Sequence, residues 1–119
     1  MSGLRQGRLV WVELFDPQGR NPKIRPAVVL SATDDSSPDA SVWVAAITKQ
    51  IDTIPDGFAV PLPWMQQGHP ETKLKEPCAV ACHWVAAVPV TAIQRVSGRV
   101  PDRLMIEVLA AVNQLPPTE

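Results

Sequence analysis

The sequence has few of the features that mark secreted, membrane-spanning or strongly basic proteins. Its two cysteines are too few for a disulfide framework in a chain of 119 residues. The apolar stretch near the N-terminus is short and is interrupted by Glu13, which argues against a signal peptide or a membrane span there. The formal net charge of -1 gives no surplus of lysine and arginine, so a nucleic-acid surface would require local segregation of charge. We expect a soluble cytoplasmic protein with no membrane association.

The length and composition indicate one globular domain. A chain of 119 residues has room for one hydrophobic core, and we expect a single domain over 1–119. Hydrophobic residues make up 45% of the chain, which argues against general disorder. The 13 prolines favour many short segments over a few long helices, because proline interrupts helices and central strands.

Short apolar runs rich in β-branched residues predict a series of strands. The central run 25–31 opens with Arg25 and Pro26, and a proline at the first position suits a strand but not a helix interior. Pro61 marks 58–62 as an edge strand, because proline cannot donate to a neighbouring strand. The other predicted strands cover 9–15, 42–48 and 78–90, the last as one bent strand or two.

The C-terminal segment is the one with a convincing helical pattern. Apolar residues follow a mostly helical spacing over 101–115, and Pro116 and Pro117 would end the helix. Polar residues and prolines predict a solvated connection over 33–41 and a long loop over 63–77. Several short strands followed by one helix indicate a mostly β fold with a C-terminal helix. We expect a small, mostly antiparallel barrel or curled sheet.

Four blocks of sequence resemble the MazF/PemK family of toxins from bacterial toxin–antitoxin pairs. The blocks are Gly7–Val12 with Asp16-Pro17, Arg25–Ser31, Ala46–Gln50, and the late strand with Cys82 that precedes the helix. The likeness extends over nearly the whole chain, from about 7 to 115. It implies an SH3-like small barrel of the PemK/MazF (CcdB-like) type.

The resemblance also implies a function. Members of the family cleave single-stranded RNA without a metal or another cofactor, form homodimers, and are neutralised by a cognate antitoxin. They bind operator DNA only together with that antitoxin. The expectation is therefore a toxin-type endoribonuclease with these partners. Because a shared fold does not fix a function, the site residues must be considered individually.

Arg25 and Thr48 match the motif arginine and threonine of the family. RNA cleavage of this kind drives the 2′-hydroxyl onto phosphorus and needs a cation, a proton acceptor and a proton donor. The guanidinium of Arg25 fits phosphate oxygens, whereas its deprotonation would cost about 7 kcal/mol, so we assign it electrostatic stabilisation and late proton donation. The hydroxyl of Thr48 can donate to a phosphate oxygen. Alternatively, Arg25 pairs with Asp16 or is solvated, and Thr48 serves only its strand and turn.

The late strand departs from the family pattern. Some members place an arginine and an aspartate around a cysteine, where this chain has Ala81 and His83 around Cys82. His83 can replace the aspartate as a proton acceptor, because imidazole titrates near about pH 6.5, or it is structural or merely exposed. Strand alternation predicts one face toward the core and one toward the cleft. The predicted core face carries Cys78, Val80, Cys82 and Trp84, and the predicted cleft face Ala79, Ala81 and His83.

The residues predicted to bind RNA lie in loops that can surround one cleft. Cations hold the phosphates of single-stranded RNA, and aromatic side chains stack on its bases. Trp64 is the stacking candidate, or else a loop anchor or dimer contact. Arg95, Arg99 and Arg103 are expected on a solvated face. The predicted RNA-binding set is Arg20, Lys23, Lys49, Gln50, Trp64, Lys73 and Lys75.

A metal site is not expected, and two other functions stay open. On a strand, Cys78 and Cys82 would lie about 13 Å apart, too far to share an ion or a disulfide. The first alternative is a degenerate member that has lost catalysis with the arginine at position 81 and still binds nucleic acid or antitoxin. The second is a gyrase-poisoning toxin, which relies on a C-terminal aromatic tip that 115–119 lacks.

Overall fold

The structure, a computed structural model, describes residues 5–16, 18–31 and 40–115. Pro17, most of the predicted connection over 33–41, and Pro116 with the rest of the C-terminal tail lie outside the described residues. Two short 3₁₀ turns, Ile51–Thr53 and Val90–Ala92, lie between strands. The strands and the helix of the described residues are β1 (Arg8–Leu14), β2 (Lys23–Val29), β3 (Ser41–Thr48), β4 (Ala59–Leu62), β5 (Cys78–Pro89), β6 (Ile93–Arg99) and α1 (Asp102–Val112).

The six strands form one antiparallel sheet in the order β4-β5-β3-β2-β1-β6. β5 and β6 are four inter-strand spacings apart in this order, which is about 19 Å on a flat sheet at 4.8 Å per spacing. However, the chain passes from one to the other through the three residues Val90–Ala92. A turn of three residues cannot span that distance, so the sheet must curl until its two sides meet. The predicted mostly β fold with a C-terminal helix is confirmed.

The concave and convex faces of the sheet are both apolar, because the strands alternate between two cores. One core contains Val28, Val80 and Cys82 and is covered by Leu104 and Val108 of α1. The apolar residues of α1 that face the sheet recur at helical spacing, and each buried side chain of this size contributes about 1.5–3 kcal/mol. α1 begins after the buried Pro101, whose carbonyl accepts the first helical hydrogen bonds.

The second core lies on the other face, where the curl brings the ends of β5 and β6 over the middle strands. Val10, Val12, Ala27 and Val44 are fully buried there, and Ile93 packs against them. The middle strands are therefore covered on both sides, which explains why their sequences are nearly continuous apolar runs instead of alternating patterns.

Several predicted strands agree with the observed ones, and one strand escaped prediction. β4 lies at the edge of the sheet, as Pro61 indicated, and 78–89 forms one continuous strand. The sequence patterns do not predict β6, because it is an edge strand whose residues are mostly polar or exposed. Arg95 and Arg99 are exposed, as expected for a solvated face, and both lie on β6.

The long loop over 63–77 is fixed to β6 by a close backbone approach. A side chain at Gly98 would collide with the backbone of Glu71 and Thr72. The amide of Arg99 donates to the Glu71 carbonyl at 2.8 Å, and the Arg99 guanidinium lies 3.4 Å from the Glu71 carboxylate. The buried hydroxyl of Thr72 donates to the Pro63 carbonyl at 2.8 Å. These contacts hold the lysines of the loop at a defined place beside the sheet.

His69 is one of the residues that organise this loop. Its Nδ1 accepts hydrogen bonds from the amides of Glu71 at 3.0 Å and Thr72 at 3.3 Å.

In the part of the chain that the structure describes, no helix has the length and apolar character needed to cross a bilayer.

Candidate active site

Arg25 lies near the start of β2, where the β1–β2 loop enters the sheet. Its Nε donates to the Leu14 carbonyl at 3.2 Å, and one terminal nitrogen donates to the Asn21 carbonyl at 2.8 Å. The guanidinium carbon lies 4.9 Å from the centroid of the Trp84 ring. No carboxylate among the described residues forms an ion pair with Arg25. The cation is thus held by neutral groups, and its charge stays available to a ligand.

Asp16, the alternative partner considered for Arg25, is engaged elsewhere. Its carboxylate accepts the amides of Arg20 at 2.8 Å and Gln18 at 3.0 Å, and the side-chain amide of Asn21 at 2.9 Å. The hydrogen bond from the Arg20 backbone holds the pKa of Asp16 below its ordinary value, and the more distant charge of Arg25 acts in the same direction. Asp16 therefore orders the β1–β2 loop instead of neutralising Arg25.

Thr48 ends β3, next to Arg25 on the same side of the molecule. Its hydroxyl oxygen accepts the Gln50 amide at 3.0 Å, which fixes the turn that follows the strand. The hydroxyl hydrogen forms no hydrogen bond to the described residues, so it can be donated to a bound group. The turn interpretation and the donor interpretation of Thr48 are compatible.

His83 lies half-buried on β5, with its ring edge toward Phe58 at a centroid distance of 6.4 Å. Nδ1 is buried and has no hydrogen-bond partner among the described residues. Burial lowers the pKa of His83 below its ordinary value of 6.5, which favours the neutral imidazole at pH 7. Because Nδ1 is shielded, proton exchange with a ligand is left to Nε2.

The three predicted catalytic residues line one cavity of about 410 Å³, which we call the Arg25 cavity. Its lining mixes polar side chains with the small apolar residue Ala81. The described residues that line it are Asp16, Gln18, Arg25, Thr48, Gln50, Thr53, Ile54, Ala81, His83 and Trp84.

A second cavity of about 620 Å³, which we call the lysine cleft, continues from the Arg25 cavity. The two share Arg25, Thr48, Gln50 and Trp84. The described lining of the lysine cleft carries six cationic side chains against one carboxylate, Glu76. That carboxylate is already paired with Lys49 at 3.3 Å. The cations are Lys23, Arg25, Lys49, Lys73, Lys75 and Arg95. Positive charge is therefore concentrated here in a chain whose net charge is -1.

Most of the predicted RNA-binding residues meet in the lysine cleft, and two do not. Lys23, Lys49, Gln50, Lys73 and Lys75 line it. Arg20 and Trp64 are exposed and belong to neither lining. Arg20 and Trp64 lie outside the cleft because of the course of their loops, which cannot be predicted from residue type alone.

The prediction that Trp84 shares the core face with Cys82 is wrong. The β3–β5 pairing shifts between Ala45, opposite Val85, and Ile47, opposite Val80. An advance of two residues along β3 thus corresponds to five residues along β5. Because of this irregularity, the two parts of β5 place odd-numbered and even-numbered residues on opposite faces of the sheet. Before it, Cys78, Val80 and Cys82 face the core under α1 as predicted, and Ala79 and Ala81 face the other way. After it, Trp84 lies under Arg25.

Arg95 is a second residue of the site that sequence reasoning missed. It lies on β6 opposite Trp11, and its guanidinium carbon is 5.3 Å from the Trp11 ring centroid. This stacking directs the cation into the lysine cleft. The position of Arg95 could not be predicted, because it depends on β6, which the sequence patterns do not predict.

The buried thiols do not fit a nucleophilic role. Burial raises the pKa of Cys82 to about 11 and also raises the pKa of Cys78, so both are protonated at neutral pH. Over 5–16, 18–31 and 40–115, no group of three or more His, Cys, Asp or Glu side chains is arranged to hold a metal ion.

The curled sheet with its C-terminal helix, and the arginine-containing cavity that opens on a cationic cleft, define a class of small, mostly β proteins. A family model described as PemK-like, MazF-like toxin of type II toxin-antitoxin system matches residues 5–115. The chain belongs to this family. No curated protein sequence matches the chain.

Solved structures with the same fold include MazF toxins. MazF from Deinococcus radiodurans (Form-I) has a TM-score of 0.70 and 19% identity, with 95% of this chain and 96% of that chain covered. The MazE-MazF structure (Form-II) from the same organism has a TM-score of 0.66 and 19% identity, covering 95% and 94%. The Mycobacterium tuberculosis toxin MazF-mt6 has a TM-score of 0.60 and 19% identity, covering 92% and 93%. At this identity the likeness establishes the fold.

Proposed function

We propose that this toxin is an endoribonuclease that cleaves single-stranded RNA without a metal. The observation that carries the proposal is the meeting of Arg25, Thr48 and His83 around one cavity that opens into the lysine cleft. The cleft supplies the charge that holds an RNA backbone, and the cavity supplies the groups that the chemistry needs.

The cleavage step assigns one role to each of the three residues. Nε2 of His83 takes the proton of a 2′-hydroxyl as its oxygen attacks the adjacent phosphorus. The bond to the 5′-oxygen then breaks, leaving a 2′,3′-cyclic phosphate and a 5′-hydroxyl. Arg25 neutralises the charge that develops on the phosphorane, and Thr48 donates to one of its oxygens. The 5′-oxygen receives a proton from the imidazolium formed on His83 or from water.

The environment of His83 suits a proton acceptor. Burial lowers its pKa, so the neutral form dominates at pH 7 and on the acidic side of 7 as far as that lowered pKa. The guanidinium of Arg25 lines the same cavity. The cavity therefore presents one cation and one neutral base to the same phosphodiester.

The proposal includes the partners of the toxin. A homodimer acts in the cytoplasm, and a cognate antitoxin neutralises it by placing an acidic, disordered tail in the lysine cleft, where the charge is complementary. Toxin and antitoxin together, and not the toxin alone, bind operator DNA. The structural likeness to the MazE-MazF structures of Deinococcus radiodurans supports the antitoxin partner.

The test is cleavage of an RNA of mixed sequence by the purified protein in the presence of EDTA. The wild type should release fragments that end in cyclic phosphate, and Arg25→Ala should abolish the release. Arg103→Ala, at an exposed position on α1 outside both cavities, is the matched control and should cleave like the wild type. Undiminished cleavage by Arg25→Ala would refute the assignment.

A second candidate function is favoured by Ala81. This residue is fully buried in the lining of the Arg25 cavity and offers only a methyl group where some family members have an arginine. A degenerate toxin of this kind would bind RNA or antitoxin with a steep salt dependence and release no fragments. The same incubation, followed by measurement of binding at several salt concentrations, separates the two functions.

A further inference from the structure

Trp84 occupies the junction of the two cavities without being a motif residue of the proposed chemistry. It is half-buried and lines both the Arg25 cavity and the lysine cleft. Its indole N–H donates to the Phe15 carbonyl at 2.9 Å, which ties the ring to the end of β1. The register shift of β5 turns the ring toward β2. The ring is therefore held by a hydrogen bond and is not a freely rotating surface side chain.

The contact between Trp84 and Arg25 completes a three-sided support for the guanidinium. The carbonyls of Leu14 and Asn21 accept from two of its nitrogens and leave its other N–H groups without a bond to the described residues. Those two bonds fix one edge of the planar group, and the aromatic face at 4.9 Å restricts its rotation.

The support has an electrostatic consequence that a carboxylate partner would not have. An aspartate or glutamate would orient the guanidinium but would also neutralise it and compete with phosphate for its donors. The face of an indole ring attracts a cation through its quadrupole and adds no net charge. Arg25 is thus oriented in advance while its charge is kept for the ligand.

We propose that Trp84 is a positioning residue that holds the Arg25 guanidinium in the orientation required for phosphodiester cleavage. This inference rests on the proposed function in assigning Arg25 to the transition state. The contact itself can be tested independently of cleavage, because a guanidinium held against an aromatic face experiences its ring current.

The geometric test is the NMR resonance of the Arg25 Nε–H group in the wild type and in Trp84→Leu. The resonance should be displaced in the wild type and should return toward the value of a solvated arginine in the variant. Trp43→Leu is the matched control, since Trp43 is 53% exposed on β3 and belongs to neither lining. An Arg25 resonance that Trp84→Leu leaves unmoved would overturn the contact and leave the proposed nuclease function intact.

The kinetic test compares Trp84→Phe with Trp84→Leu in the cleavage assay. Phenylalanine keeps an aromatic face, so Trp84→Phe should stay within about threefold of the wild-type kcat. Leucine keeps apolar volume without the quadrupole, and Trp84→Leu should lose about tenfold in kcat, equivalent to about 1.4 kcal/mol, with a smaller change in KM. A residue that merely supports folding would lower the unfolding midpoint and the active fraction, so kcat is calculated per folded molecule; on that basis a purely structural role would leave kcat at the wild-type value.

A double-mutant cycle decides whether Trp84 acts through Arg25. In an Arg25→Ala background with measurable residual activity, Trp84→Leu should cause no further loss. If residual activity is undetectable, the same cycle is run with Arg25→Lys. An equal loss in both backgrounds would overturn the inference, because it would show that Trp84 acts independently of Arg25. If Trp84→Leu does not fold, Trp84→Met takes its place in both tests, with Trp84→Phe again as the aromatic comparison.

Discussion

Replacing Gly98 by alanine should loosen the lysine-bearing loop without touching a side chain of the site. The new methyl group would collide with the backbone of Glu71 and Thr72, which cannot move aside as a flexible side chain can. Overpacking of this kind costs about 2 kcal/mol. The loop must retreat from β6, and the hydrogen bond between the Arg99 amide and the Glu71 carbonyl is lost with it.

The retreat of the loop has a measurable electrostatic result. Lys73 and Lys75 line the lysine cleft because the loop is fixed to β6. For single-stranded nucleic acid, each phosphate contact contributes about 0.7 to the slope of log affinity against log salt concentration, so losing two contacts should make the slope shallower by about 1.4. The assay is binding of an RNA analogue that lacks the attacking 2′-hydroxyl, measured by fluorescence anisotropy between about 50 and 200 mM salt.

Gly57→Ala is the matched control for Gly98→Ala. Gly57 has a φ of +86°, but its surroundings are open and the nearest atom is Oε1 of Gln114 at 3.9 Å. Alanine there should cost about 1–2 kcal/mol through backbone strain alone and leave the salt slope unchanged. A Gly98→Ala protein with wild-type stability and a wild-type salt slope would refute the argument that the close approach places the lysines.

Three further predictions test the site and the core. kcat/KM should fall as the pH drops through the lowered pKa of His83, because the protonated imidazole cannot accept a proton, and His83→Gln should cleave more slowly without that dependence. Arg95→Ala should weaken binding of the same RNA analogue and make its salt slope shallower by about 0.7, whereas Arg103→Ala should change neither. The free energy of unfolding, measured by urea titration, should decrease between about pH 9 and pH 11. The pKa of Cys82 is raised to about 11 in the folded state, so the unfolded chain releases this proton first as the pH rises. Cys82→Ala should show a smaller decrease.

Five of the observed strands and the helix could be predicted because local chemistry determines them. Apolar β-branched runs, Pro61 at an edge and the helical spacing over 101–115 each correspond to an observed element. β6 could not be predicted in the same way. An edge strand is paired on one side and solvated on the other, so its polar residues resemble a loop until the partner strand β1 is known.

The candidate site was predictable where it depended on motif residues and not where it depended on register. Arg25, Thr48 and His83 come together because each follows from the position of its strand in the sheet. The orientation of Trp84 depends on a three-residue irregularity between β3 and β5, and simple alternation contains no signal for such a shift. Residue type alone predicts Trp64 at the site, and the structure puts it outside both cavities.

The concentration of cations in the lysine cleft also determines the long-range electrostatic attraction between the toxin and its ligands. Because the whole chain carries a net charge of -1 while the described lining of the cleft has a surplus of cations, the rest of the chain is acidic in balance. A polyanion near the mouth of the lysine cleft is attracted before any atom touches. Encounter is therefore oriented by the long-range field, and it should slow steeply as ionic strength rises.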